Sequence, residues 1–114
     1  MKKTEITFDD FTKVDIRIGT IIEVSDFPKA KKPAYQLTID FGDLGIKKSS
    51  AQITQLYRKE DLLHKQILAI VNFKEKQIAN FISECLVLGI ENANREIVLL
   101  QASKAAVKNG EQVG

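Results

Sequence analysis

Hydrophobic and polar positions alternate along residues 14–24 and again along residues 35–41. In the first stretch the even-numbered positions form the apolar face, and Gly19 is a candidate for a bulge or bend; in the second, the odd-numbered positions are apolar. Because successive side chains of a strand point to opposite faces, this period of two predicts two strands. The turn "GDLG" (42–45) then predicts a hairpin whose third strand begins at Ile46.

Two segments have the pattern of a helix N-terminus. Thr7 with Asp10 three residues later forms a capping box, which predicts a short N-terminal helix. Ser49 and Gln52 repeat that spacing, and apolar residues follow within 53–57. The pattern therefore predicts a second helix directly after the third strand.

The second half of the chain contains three apolar runs. Residues 66–71 predict a buried strand, residues 72–81 a polar connector, and residues 82–90 and 95–101 the last strands around the turn "ENAN". This order predicts a mainly β protein, an OB-fold five-stranded barrel with a helix between strands 3 and 4 and a short N-terminal helix. We expect residues 1–114 to form one domain.

Composition is that of a globular protein with a small net charge. Of the 114 residues, 44% are hydrophobic and 28% charged, and the net charge is +2. No apolar run approaches the roughly 18 residues of a membrane span, and the N-terminus lacks the apolar stretch of a secretory signal. The single cysteine cannot form an intramolecular disulfide. We expect a cytoplasmic protein without membrane insertion.

Lysines at the start of the second predicted helix suggest an anion site. Lys47 and Lys48 precede Ser49 and Ser50, and cations beside free helix N–H groups can bind a phosphate. On a strand, the two lysines would point to opposite sides. The alternative is that both only solubilise a strand end, and the serines by themselves fit caps better than ligand contacts.

The loop between the first two strands is also basic. Lys29, Lys31 and Lys32 lie in it, with Phe27 and Tyr35 close by. Cations mixed with aromatic residues are typical of proteins that bind single-stranded nucleic acids. Tyr35 equally fits the core, and Phe27 equally fits a residue that plugs the loop.

The connector "NFKEKQIANF" repeats this mixture. Lys74 and Lys76 alternate with other residues between Phe73 and Phe81, and Asn72 ends the preceding strand. The Asn72 side chain could reach a ligand base or satisfy N–H groups of the loop.

No pattern of an enzyme is present. His64 and Cys85 lack a recognisable orienting group, and a buried structural cysteine with a surface histidine explains both. The chain has neither metal-ligand spacing nor a phosphate-binding glycine motif. We therefore expect no catalytic residues, no metal and no cofactor.

Three segments carry a family resemblance: "FTKVDIRIGTIIEVSDFPKAKKPAYQLTIDFG", "GIKKSSAQIT" and "VNFKEKQIANFISECLVLGI". They resemble the family of the export-related chaperone CsaA, within the wider group of EMAP-II-like tRNA-binding domains. Ser83-Glu84-Cys85 stands where synthetase-linked members usually carry Gly-Met after a Ser-x pair, which favours the CsaA branch. Lys108 and the turn "ENAN" depart from the prolines and glycines usual there.

The resemblance implies an OB-fold homodimer whose chain ends help to build the interface. It implies binding of tRNA and a chaperone role towards unfolded precursor proteins or the export machinery. The ligand surface that it implies comprises Arg17, Lys31, Lys32, Lys47, Lys48, Ser49, Ser50, Asn72, Lys74, Lys76, Ser83 and Glu84.

Two functions of different classes remain open. A peptide-binding chaperone needs an exposed apolar groove, for which Phe27, Phe73 and Phe81 are the candidates. A stand-alone tRNA-binding protein would instead assist aminoacylation or another RNA process through its lysines, without a chaperone role. RNA binding should weaken with salt, and peptide binding much less.

Overall fold

A computed structural model describes all residues of the chain, 1–114. It contains two short α-helices and nine strands, with a 3-10 turn after the second strand. Their bounds are α1 Phe8–Thr12, β1 Ile16–Asp26, β2 Tyr35–Asp40, β3 Ile46–Ala51, α2 Lys59–Leu62, β4 Gln66–Ile70, β5 Lys76–Ile78, β6 Phe81–Ser83, β7 Leu86–Val87, β8 Gly89–Glu91 and β9 Ile97–Leu99.

Five strands form one antiparallel sheet in the order β3-β2-β1-β4-β7, and the sheet curls into a nearly closed barrel. The strand pairs β5–β6 and β8–β9 are separate hairpins, and α2 lies between β3 and β4. The predicted OB-fold with a short N-terminal helix is therefore confirmed. None of the helices has the length and apolar character needed to cross a bilayer.

The barrel core is filled mainly from β2 and its neighbours. Leu37, Ile39 and Phe41 are buried, which confirms the predicted inward face of the second strand. Full burial of each such side chain stabilises the fold by roughly 1.5–3 kcal/mol. The complete core cluster is Ile21, Leu37, Ile39, Phe41, Ala51, Ile53, Leu62, Ile67, Ala69, Cys85 and Leu99.

The predicted inward face of β1 is wrong for the first half of the strand. The pairing register with β2 shifts between Ile21 and Glu23, so a bulge lies at Ile22. Ile21 is 0% exposed and Ile22 is 38% exposed, the reverse of the prediction. The extra residue of the bulge shifts the inward face from odd-numbered to even-numbered positions. Beyond it, Val24 therefore packs against the core as predicted.

Gly19 has a packing role and is not the site of the bulge. It faces the core, and a Cβ built at this position would lie 2.7 Å from side-chain atoms of Ile39 and Phe41. Such a contact is too short to tolerate, so the side chains of Ile39 and Phe41 can pack over position 19 as they do only if it is glycine.

The helix predicted directly after Ser49 is wrong. β3 continues through Ser49 to Ala51, because Ser49 pairs with Leu37 in the β2–β3 hairpin. The helix between β3 and β4 is α2, where Asp61 Oδ2 accepts a hydrogen bond from Arg58 N at 2.9 Å, a contact that lowers the pKa of Asp61. Pairing across the hairpin outweighs the local capping pattern.

Hydrogen bonds to residues 83–85 close the barrel at the free edge of β3. Lys48 N donates to Glu84 Oε1 at 2.9 Å, and Glu84 N donates to Lys48 O at 2.7 Å. Ser49 Oγ donates to Cys85 O at 3.0 Å. These contacts satisfy backbone groups that an edge strand would otherwise expose.

The second half of the chain is more broken than predicted. The continuous strand predicted over 82–90 is divided into β6, β7 and β8, and the strand predicted over 95–101 is only β9. The connector predicted over 72–81 contains β5 and a turn in which Ala79 has a φ of 53°. Short strands separated by turns obscure the period of two.

The C-terminal segment, residues 107–113, lies along the first half of β1. Gly110 N donates to Ile18 O at 2.8 Å, and the Gln66 side chain both donates to Val107 O and accepts from Val107 N. Ile18 is consequently buried on the side of β1 that faces away from the barrel core.

Candidate nucleic-acid interface

Two phenylalanines hold together the segments that form the site. Phe27 begins the β1–β2 loop and Phe81 begins β6; their ring centroids are 5.5 Å apart, and the two side chains are 5% and 9% exposed. Ala34 completes this small cluster, and Ala30 and Ile78 pack against it. The Phe27–Phe81 pair therefore fixes the β1–β2 loop against the β5–β6 hairpin.

A groove of about 1260 Å³ runs between the β1–β2 loop and the segment that leads from β4 into the β5–β6 hairpin. Five lysines line it, three from the loop and two from the opposite wall. We call this feature the basic groove; its lysines are Lys29, Lys31, Lys32, Lys74 and Lys76.

The basic groove has no negative charge of its own. None of its 22 lining residues is an aspartate or glutamate, and none of its five lysines forms an ion pair. Glu75, between Lys74 and Lys76 in sequence, is exposed and does not line the groove. Like charges gathered in a concave surface produce a positive potential that attracts a polyanion.

The floor of the groove is mostly apolar. Ala51 ends β3 and Ile53 follows it, β7 contributes Leu86 and Val87, and Leu99 comes from β9. Gln52 and Gln77 add exposed amide groups at its surface. The groove thus combines cations at the walls with hydrogen-bonding and apolar groups between them.

Six of the residues implied by the family resemblance lie in the basic groove. Two of them contact each other: Ser50 N donates to Ser83 Oγ at 3.3 Å, a hydrogen bond that helps to close the barrel. The six are Lys31, Lys32, Ser50, Lys74, Lys76 and Ser83.

The β3 lysines lie outside the groove. Lys48 is exposed and Lys47 half-buried, on opposite sides of the strand as predicted, and neither lines the groove. The prediction of a phosphate site at a helix N-terminus is wrong, because no helix begins at Ser49 or Ser50. Ser49 is 0% exposed and its hydroxyl donates to Cys85 O, so it is closed to a ligand.

Two other implied residues have structural contacts. Arg17 Nη1 donates to Gly110 O at 3.0 Å, and its Nε pairs with the Asp15 carboxylate. Asn72 Oδ1 accepts from Asp15 N at 2.9 Å, and Asn72 Nδ2 donates to Lys13 O at 2.7 Å. Asn72 thus has the loop-satisfying role that was one of its two predicted alternatives.

Of the three phenylalanines predicted to bind peptide, only Phe73 is exposed. Its side chain is 56% exposed and lines the basic groove, whereas Phe27 and Phe81 are buried against each other. The prediction of an exposed patch made by all three is therefore wrong. Phe27 instead packs beneath the β1–β2 loop, which is the structural role that the sequence allowed as its alternative.

Sequence reasoning missed Gln52 and Gln77 as groove residues. Gln52 enters the sequence pattern only as a capping partner of Ser49, and Gln77 only as a neutral residue after Lys74-Glu75-Lys76, so neither was singled out as a ligand contact. Lys29 belongs to the basic loop but not to the ligand surface that the family resemblance implies. Its place two positions from Lys31 is the signal that predicts it in the groove.

Cys85 lies at the floor of the groove as an unreactive thiol. Burial raises the pKa of Cys85 from its ordinary value of 9.0 to about 11, against smaller opposing effects of the Ser49 hydrogen bond and the Lys47 charge. Because the thiolate is the nucleophilic form, this thiol is poorly suited to catalysis at neutral pH. No group of three His, Cys, Asp or Glu side chains is placed to hold a metal ion.

The fold and the groove define a class of protein: a small OB-fold domain that presents a basic, acid-free groove beside its barrel. Comparison with known families identifies the class more closely. Residues 16–112 match the family model described as "Putative tRNA binding domain", and the chain belongs to that family.

Two solved structures superpose on almost the whole chain. A CsaA chaperone protein from Picrophilus torridus is 52% identical, with a TM-score of 0.89 and coverage of 96% of this chain and 100% of that chain. Chaperone CsaA from Bacillus anthracis str. Ames is 46% identical, with a TM-score of 0.91 and coverage of 97% and 100%. The predicted resemblance to the CsaA family is confirmed.

Larger proteins contain a related segment. A methionine–tRNA ligase from Bacteroides fragilis is 35% identical over 111 residues, which are 97% of this chain and 16% of the ligase. The chain thus spans about one sixth of the length of that relative, and the similarity is limited to this part.

Proposed function

We propose that this protein binds tRNA, and that the basic groove is its main contact surface. The observation that carries the proposal is the convergence of five unpaired lysines from two chain segments in a groove without a carboxylate. Membership of the tRNA-binding family supports the choice of polyanion.

The lysines act as phosphate contacts. Each phosphate that a lysine neutralises releases a counterion, so log K should fall with log salt by roughly 0.7–0.9 per contact. Engagement of all five groove lysines would give a slope near −4. Lys47 and Lys48, at the side of the barrel, add a weaker peripheral contribution, and we propose no contact for buried Ser49.

The protein acts by binding, without catalysis of its own, and residues 1–114 work as one domain in the cytoplasm. The raised pKa of Cys85 is consistent with this role, because the only cysteine of the chain is protonated and buried.

We further propose a homodimer, so that two basic grooves can contact one tRNA. Apolar side chains are exposed on α1 and on the β8–β9 hairpin, where Ile90 and Val98 face each other across the strands. The exposed apolar residue of α1 is Phe8. Sedimentation of the wild type and of Phe8→Asp and Val98→Asp variants tests this; monomeric wild type would contradict it.

A chaperone role towards unfolded precursors destined for export is the second candidate. It is supported by two related structures that are named as CsaA chaperones and by Phe73 and Leu86, which are exposed beside an apolar groove floor. If peptide does not bind, the alternative is a tRNA-binding protein that assists aminoacylation or another RNA process.

A titration of labelled bulk tRNA at several salt concentrations, with an unfolded peptide as competitor, tests both functions. We expect a steep salt slope and strong weakening in the Lys31→Glu/Lys74→Glu variant. Flat, weak tRNA binding with tight capture of the peptide would reject tRNA as the main ligand. Displacement of tRNA by the peptide would place both ligands in the same groove.

A further inference from the structure

Phe73 is an aromatic residue without an aromatic partner at the wall of the basic groove. The two aromatic pairs of the protein are Phe8–Phe11 and Phe27–Phe81, and Phe73 belongs to neither. It follows the end of β4 and directly precedes Lys74, and both side chains are exposed and line the groove. An exposed ring beside a phosphate-binding cation is the combination on which unpaired bases stack.

The basic groove contains groups for a nucleobase as well as for a phosphate chain. Gln52 lines the groove with its amide free of protein hydrogen bonds, and Gln77 uses its amide only in a 3.2 Å hydrogen bond to Ala79 O. Amide side chains can donate to and accept from the edge of a base. Groups for the phosphate, the face and the edge of a nucleotide are thus present in one groove.

A double-stranded stem would leave Phe73 unused. In an RNA helix the bases are stacked on one another, and the major groove is too narrow and deep for side chains to reach them. Within a continuous stem no base face is free, whereas an unpaired nucleotide can offer the face of its base to a ring on the protein surface.

We propose that Phe73 is a stacking platform for an unpaired base, and that the basic groove receives a single-stranded segment of the RNA. This inference rests on the proposed tRNA-binding function and narrows its ligand to nucleotides outside the helical stems. The lysines supply affinity for the phosphates, and Phe73 adds affinity only when the ligand carries an unpaired base.

The absence of tryptophan from the chain permits a direct test. In a Phe73→Trp variant the new side chain is the sole source of tryptophan fluorescence. The probes are single-stranded oligoadenylate of roughly eight nucleotides, within the site sizes known for OB-folds, and an abasic oligomer with the same number of phosphates. Anisotropy of a label on each oligomer reports binding independently of tryptophan.

We expect oligoadenylate to quench the tryptophan of the Phe73→Trp variant, and the abasic oligomer to bind without quenching it. A Leu63→Trp control, at an exposed leucine beside α2 and outside the groove, should respond to neither oligomer. Phe73→Ala should bind oligoadenylate about 10-fold more weakly, with an unchanged salt slope and unchanged affinity for the abasic oligomer. Phe73→Tyr should restore binding.

The possible failures are distinguishable. If anisotropy shows that oligoadenylate binds to Phe73→Trp without quenching its tryptophan, or if Phe73→Ala binds it like the wild type, the stacking role is rejected and tRNA binding stands. Binding of tRNA without binding of oligoadenylate would likewise reject the single-stranded ligand alone. Failure of both RNAs to bind would overturn the proposed function together with this inference.

Discussion

The basic groove and strand β3 both contain lysines, but the lysines are arranged differently in the two regions. The groove lysines come from the β1–β2 loop and from the segment around β5, and none has a carboxylate partner. On β3, Lys47 and Lys48 are adjacent in sequence but point to opposite sides. The backbone N–H of Lys48 donates a hydrogen bond to the Glu84 carboxylate. Lysines that are distant in sequence therefore form the cluster, whereas adjacent lysines on the strand do not.

The two walls of the groove are distant in sequence, and the Phe27–Phe81 pair holds them together. Phe81→Ala removes most of a buried ring, which should lower the free energy of unfolding by about 3 kcal/mol. The two groove walls should then lose their fixed arrangement, and tRNA affinity should fall in conditions where the variant is still folded. Denaturant unfolding and tRNA titration measure the two effects.

Phe73→Ala is the matched control for stability, because its ring is exposed and its loss should change the free energy of unfolding by less than about 0.5 kcal/mol. Wild-type tRNA affinity in a folded Phe81→Ala variant would show that the groove walls do not need the Phe27–Phe81 pair.

The two groups of lysines can be compared at constant change of net charge. Lys31→Glu/Lys74→Glu should weaken tRNA binding by about 100-fold and reduce the salt slope by about 2, since two phosphate contacts are lost. Lys47→Glu/Lys48→Glu should weaken it by only a few-fold. Titrations at several salt concentrations measure both quantities.

Lys104→Glu/Lys108→Glu provides the control, because both lysines are exposed and lie outside the groove. It should change affinity by less than about 2-fold at moderate salt, where distant surface charges are screened. Equal losses in all three variants would mean that net charge, and not the groove, determines binding.

Cys85 lies where the two regions meet, and its burial predicts a loss of stability at alkaline pH. The unfolded thiol loses its proton near its ordinary pKa of 9.0, whereas the folded thiol keeps it until about 11. Between these values the unfolded state binds fewer protons, so the free energy of unfolding falls as pH rises, by roughly 2 kcal/mol at pH 11.

Denaturant unfolding between pH 8 and 11 measures this dependence, and Cys85→Ala is its control. Other groups that titrate in the same range contribute equally to both proteins, so the difference in slope belongs to Cys85. Identical slopes in wild type and Cys85→Ala would contradict the raised pKa.

The smallest effect is expected at the free edge of β3. Glu84→Ala removes the acceptor of the Lys48 N–H and should lower the free energy of unfolding by about 1 kcal/mol, because this hydrogen bond is partly exposed to water. Thermal unfolding should show a decrease in Tm of about 4–5 °C. Glu84→Gln, which keeps an acceptor oxygen, should recover most of this loss. No change in Glu84→Ala would mean that water replaces the carboxylate at this edge.

Much of the fold could be predicted because its signals are local. Thr7 and Asp10 form the predicted capping box, with Asp10 N donating to Thr7 Oγ1 at 3.2 Å. The alternation of β2 and the turn at 42–45 predicted the hairpin, and the apolar run at 66–71 became β4. Each of these features is determined by residues only a few positions apart.

The candidate site was less predictable, since its signals could be read in two ways. The capping pattern at Ser49 predicted a helix with a phosphate site, but pairing with Leu37 extends the strand instead. Phe27 and Phe73 looked alike as aromatic residues beside lysines, yet one is buried and the other exposed. Asn72 fitted a ligand contact as well as the loop contact that the structure contains.

The sequence by itself determined α1, the order of strands β1 to β4, the inward face of β2 and the two basic segments, because period, turn residues and charge are local properties. The tertiary structure decided the phase of β1, the burial of Ser49 and the convergence of Lys31 with Lys74. Those outcomes depend on a bulge, on cross-strand hydrogen bonds and on the Phe27–Phe81 pair, in which the partners are up to 54 positions apart. Contacts over such separations leave no periodic signal in the sequence, so only the folded chain shows them.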